Sequence, residues 1–111
     1  MQKVVSAGIP QGIINGTSSD TAQSLSDLGA TIEINTSQPG GGALKRQAIF
    51  ATVSVETNAV RFACGTPTTA NGHLLQPGDI VELADVHEIK TAKFISAVAG
   101  AHATLQITTE F

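Results

Sequence analysis

Two stretches of this chain alternate residue by residue, and that period constrains the fold more than any single residue does. In "LKRQAIFATVSVET" the side chains of Ile49, Ala51, Val53 and Val55 fall on one side, while Ala48, Phe50, Thr52, Ser54 and Glu56 fall on the other. "ATLQITTEF" repeats the period, with Leu105, Ile107, Thr109 and Phe111 set against Gln106, Thr108 and Glu110. Successive side chains of a strand point to opposite faces, so both stretches read as strands with one face on a core. "AVRFACG" groups Val60, Phe62 and Cys64 in the same way, and Asn58 between this run and the previous one predicts a hairpin turn.

Turn formers separate the remaining short runs. "TPTTANG" precedes "HLL", and "QPGD" follows it. There Pro77 pre-sets φ for the first central position of a turn, and Gly78 accepts the positive φ that a type II turn needs at the second. "IVELAD" reads as a strand, "VHEIKTA" as an irregular connection or single helical turn, and "KFISAVA" as another strand. Short strands punctuated at intervals of roughly 8 to 12 residues predict an all-β chain, a single antiparallel β-sandwich or small jelly-roll-like barrel. The one helical candidate is "SSDTAQSLSDLG", with Ser19 or Asp20 as cap, Gly29 as terminator, and Ala22, Leu25 and Leu28 within it.

The first forty residues differ in kind. "SAGIPQGIINGTSSDTAQS" is polar and rich in small residues, and "NTSQPGGGA" is a loop that no central strand could contain. The expected organisation is one structural domain overall. Residues 1–42 form an extended N-terminal segment with an arm and a Gly-rich loop, and residues 43–111 form the antiparallel core. Residues from Met1 either pack as edge strands on their own domain or reach a neighbouring subunit, with Val4, Val5, Ile9, Ile13 and Ile14 as the candidate subunit interface.

Composition narrows the classes of function. Charged residues make up 14% of the chain and the formal net charge is −3, so no basic field holds a nucleic-acid backbone. Four Phe, with no Tyr or Trp, leave few faces on which bases or sugars could stack. A single cysteine, Cys64, excludes an internal disulfide framework, and its place beside Val60 and Phe62 reads as a small buried hydrophobe. The N-terminal apolar run is short and broken by Gly and Pro, unlike a signal-peptide core or a membrane span, so synthesis in a cytoplasm and a soluble product are expected.

The groups that could catalyse are His73, His87, His102, Cys64, Asp79, Asp85 and Glu88. "DVHEIK" has His-Glu without a second His one turn later, so it lacks the zinc-protease pattern. A cupin-type site needs a close His pair with a downstream Glu, and "GHLLQPGD" has one His. Each His is expected in solvent or at a turn, and Asp79 on the backbone of its own turn. "QPGGGA" lacks the Lys-Ser/Thr of a phosphate loop, and Lys45 with Arg46 reads as a solvated strand start. No catalytic, cofactor-binding or metal-ligating residue is assigned, and no enzymatic activity is expected.

From "AVRFACGTPTTANGHLLQPGDIVEL" through "KFISAV" to "ATLQIT", residues 59–111 resemble small virion proteins of tailed bacteriophages. The likeness is to β-sandwich components such as head decoration or cement proteins. The resemblance implies a structural role on the capsid surface, with the major capsid protein and further copies of the chain as partners in a homo-oligomer such as a trimer. No nucleic-acid or membrane partner and no cofactor is implied. A tail or head-fibre module that binds a host receptor or glycan would share the same small β-domain.

Overall fold

The computed structural model describes residues 12–37 and 40–111. In chain order these residues form β1 (Ile14–Thr17), β2 (Gln23–Ser24), β3 (Glu33–Ser37), β4 (Ala43–Gln47), β5 (Phe50–Glu56), β6 (Val60–Cys64), β7 (His73–Leu75), β8 (Ile80–Leu83), α1 (Val86–Thr91), β9 (Ala92–Ser96) and β10 (Thr104–Glu110). One sheet, A, has the order β1-β10-β5-β8, and the other, B, has the order β2-β9-β6-β7. Each neighbouring pair is antiparallel.

The pairing is nested. β6 pairs with β7, β5 with β8 outside them, β2 with β9 beyond those, and β1 with β10 outermost. A long hairpin of four stacked pairs, rolled so that the pairs alternate between two sheets, is a jelly roll. The antiparallel sense of every pair brings four sheet-to-sheet connections to one end: residues 18–22, 57–59, 76–79 and 97–103. The 65–72 loop and α1 lie at the other end, where β3 and β4 form a separate hairpin across the Gly-rich loop.

The alternation seen in the sequence becomes the core. Ala51, Val53 and Val55 of β5 and Leu105 and Ile107 of β10 are buried, facing Val60, Ala92 and Phe94 of sheet B. Phe62 packs at the core's margin, its ring 5.5 Å from that of Phe94. At the end opposite the connections, Leu25, Ile89 and Phe111 close the core. Ile89 arrives on α1, whose first turn is capped by Asp85 accepting from the His87 N–H. Glu88 in its first turn and Lys90 in its last suit the helix dipole.

Four sequence expectations need correction. The runs on either side of Asn58 do not form a hairpin, because β5 lies in sheet A and β6 in sheet B. Thr57, with φ of 74°, turns the chain from one layer to the other. The helical candidate shrinks to one turn, and its cap is Ser24, not Ser19 or Asp20. The Ser24 N–H donates to Asp27 Oδ2 and the Asp27 N–H to Ser24 Oγ, a reciprocal box. Gly29 does terminate it: its N–H reaches Ser26 O and that of Ala30 reaches Leu25 O, the two bonds of a Schellman stop.

Ile49 is the third. It precedes β5 and is exposed, while Ala48 is buried, so the period slips where β4 hands over to β5. Cys64 is the fourth, exposed where burial was expected. β7 begins at His73, opposite Phe62, so Cys64 stands past the end of the neighbouring strand and nothing there shelters it.

Candidate functional site

The densest polar network lies at the end where the four connections meet. Ser18 precedes β2, Ser96 ends β9, and His102 sits in the connection to β10. The Ala103 N–H donates to Ser18 Oγ at 2.8 Å, Ser18 Oγ lies 2.7 Å from Ser96 Oγ, and Ser96 Oγ lies 2.9 Å from His102 Nδ1. Asn58 Nδ2 donates to His102 O at 2.8 Å, and the Gly100 N–H to Asp20 Oδ1 at 2.9 Å, so three of the connections are tied together. The fourth is held to β5 through the Gly78 N–H on Val55 O and the Val55 N–H on Asp79 O.

Proton counting sets the direction of the chain. With His102 Nδ1 as acceptor, the order is Ala103 N–H to Ser18, Ser18 O–H to Ser96, and Ser96 O–H to Nδ1, and each hydroxyl accepts once and donates once. With Nδ1 as donor, one of the two buried hydroxyls receives two protons and its own has no place to go. The first arrangement therefore leaves Nδ1 free to accept and places a ring proton on Nε2. A serine hydrogen-bonded to histidine invites comparison with a nucleophile and its base. Ser96 Oγ is enclosed and occupied on both sides, so a carbonyl has no line of approach to it. The arrangement works as a polar clasp.

The other candidate groups are dispersed. His73 lies on the edge strand β7, its ring 5.5 Å from that of Phe62, and His87 is exposed on α1. Asp79 accepts the Gln76 N–H at 2.7 Å while its own N–H reaches Gln76 O, so "QPGD" is the corner that its residues announce. Lys45 pairs with Glu33 at 3.2 Å across the β3–β4 hairpin. Among the described residues, no group of three His, Cys, Asp or Glu side chains could hold a metal ion, and no helix is long and apolar enough to cross a membrane.

Of the candidate interface residues, Val4, Val5 and Ile9 lie outside the described residues. Ile13 is 65% exposed just before β1. Ile14 pairs with Ile107 on the inner side of sheet A and is half-buried.

The outer face of sheet A is mainly hydroxyl and amide with carboxylates at its margins, and that of sheet B carries two cations. On sheet A the register turns Thr52, Ser54, Thr104, Gln106 and Thr108 outward, with Glu56 and Glu82 towards the margins. On sheet B it turns out Arg61, Lys93, Ala63 and Ile95, the last of them buried. Each face has one large apolar side chain at its edge, Ile80 on sheet A at 46% exposure and Leu74 on sheet B at 45%. Sequence reasoning missed the clasp and these faces, although Ser96 stands at an inward position of an apolar strand and signalled a buried partner. No family model, curated protein or solved structure matches the chain.

Proposed function

We propose that the protein is a structural component of a bacteriophage virion, a capsid decoration or cement protein that binds the major capsid protein lattice and reinforces the head. The observation that carries the reading is the pair of outer faces of opposite charge, each edged by an exposed apolar residue, Ile80 or Leu74. Faces of this kind suit lateral packing among many copies, where modest contacts multiply through effective concentration. The carboxylates of Glu56 and Glu82 on one face and the cations of Arg61 and Lys93 on the other favour contact between unlike faces of neighbouring copies.

In this reading Ile13 packs on a neighbouring copy, with Ile14 at the point of departure. The exposed Ile13 beside the edge strand β1 supports it. The test uses capsids assembled with and without the protein. Capsids that carry it should resist heat and internal DNA pressure better, and identical resistance refutes the role. A receptor- or glycan-binding module of a tail or head fibre is the second reading, favoured by the hydroxyl and amide groups on the outer face of sheet A. Binding to a glycan array or to host cells, without binding to capsids, would select it.

A further inference from the structure

We infer that Asn71 is a site of spontaneous covalent modification in the native protein, where the fold places a labile dipeptide under its own constraint. The chain has four asparagines, and two of them, Asn15 and Asn71, precede glycine. Glycine leaves the following amide nitrogen uncrowded, which is the chief requirement for its attack on the asparagine side chain.

Both glycines are imposed by packing. At Gly72 φ is 125°, and a Cβ would lie 3.1 Å from Pro67 Cβ and 3.2 Å from Phe62 O. At Gly16 a Cβ would lie 2.9 Å from Leu28 O. Their surroundings differ. Asn15 sits within β1, in register with Gln106, and Gly16 is buried, so the main chain is held extended. Asn71 and Gly72 are exposed in the 65–72 loop, and among the described residues the Asn71 carboxamide has no hydrogen-bond partner. Asn58, by contrast, has its carboxamide engaged on His102 O.

The reaction needs only water. The Gly72 nitrogen loses its proton and bonds to Asn71 Cγ, the Cγ–Nδ2 bond breaks, and the amide leaves as ammonia with that proton, closing a succinimide. Water then opens the ring at Cγ, giving aspartate, or at the main-chain carbonyl, giving isoaspartate with the chain rerouted through the side chain. Either product adds a negative charge to a loop that Arg61 holds through Thr69 O and Gly72 O at 2.9 and 3.0 Å. The isoaspartyl product also lengthens the main chain between the reciprocal Thr68–Asn71 bonds and β7. The fold that requires glycine at 72 thus gives the protein a slowly acidifying loop.

Peptide mapping by mass spectrometry, on the full chain held at mildly alkaline pH, tests this. In the folded protein the aspartate mass shift should accumulate at Asn71 and not at Asn15, Asn35 or Asn58. In denaturant Asn15 should also react, and Asn71→Gln, which keeps the main-chain bonds to Thr68, should reduce the signal at 71 to background. Equal rates at Asn15 and Asn71 in the folded chain overturn the inference. So does an Asn71 that stays intact when folded and reacts only when unfolded.

Discussion

Replacing Ser18 with alanine removes one oxygen from the clasp and strands its neighbours. The Ala103 N–H loses the acceptor it reaches at 2.8 Å, and Ser96 Oγ loses a partner at 2.7 Å, both where water has no access. A buried donor without a partner costs about 1–3 kcal/mol, and the abandoned Ser96 lone pair and small void add to it, so a loss of about 2–3 kcal/mol is expected. For a domain of this size about 1 kcal/mol moves the melting temperature by roughly 4 °C, which places the variant roughly 8–12 °C below the parent. Thermal and urea unfolding of Ser18→Ala, Ser96→Ala and the double variant form a cycle. Because the two hydroxyls share one chain of protons, the double variant should lose less than the sum of the single losses, by about 0.5–3 kcal/mol. Additive losses, or a Ser18→Ala cost below about 0.5 kcal/mol, the range of an exposed substitution, would refute the proton chain.

Gly16→Ala should destabilise by about 1–3 kcal/mol, read from urea midpoints, since its Cβ meets Leu28 O at 2.9 Å and Leu28 Cβ at 3.0 Å. Thr57→Gly should stabilise by up to about 1 kcal/mol by relieving a β-branched residue at positive φ. A loss instead would mean that the bond from the Thr104 N–H to Thr57 Oγ1 outweighs the strain. The Ser24 N–H and hydroxyl, together with Lys93, hold the Asp27 carboxyl below its ordinary range. A group whose folded pKa is depressed contributes stability above its unfolded pKa and loses it as pH falls through the folded one. Asp27→Asn should therefore lose less stability than the parent when pH is lowered from neutrality to below about 4, and parallel curves would refute the box. If copies associate through the segment that precedes β1, as proposed, removing residues 1–11 should weaken that association on sizing or sedimentation, and an unchanged oligomer size refutes the arm.

Much of the fold was legible because one face of each long strand is apolar. The periods at 51–55 and 105–107 passed directly into the core, and "QPGD" formed the turn that its Pro and Gly require. What failed was what period alone cannot carry. Asn58 lies between two strands in either a hairpin or a crossing between layers, and only the pairing of β5 with β10 and of β6 with β9 decides which. Cys64 continues an inward period past the point where β7 begins, and burial depends on the neighbour, not on the strand itself. The clasp joins Ser18 to Ser96 and His102 across most of the chain, a proximity that arises only once the sheets have closed.

The outermost of the nested pairs also governs how the chain is made. Ile14 is in register with Ile107, so β1 emerges from a ribosome long before the strand that completes its sheet. The innermost pair, β6 with β7, joins residues close in sequence and is free to form early. Folding should then run outwards from the 65–72 loop and finish only after β10 has left the exit tunnel, in the millisecond-to-second range typical of non-local β architectures. Until then the unpaired edges are exposed to other nascent chains, and the rate of that last closure limits how many copies can be produced at once without aggregation.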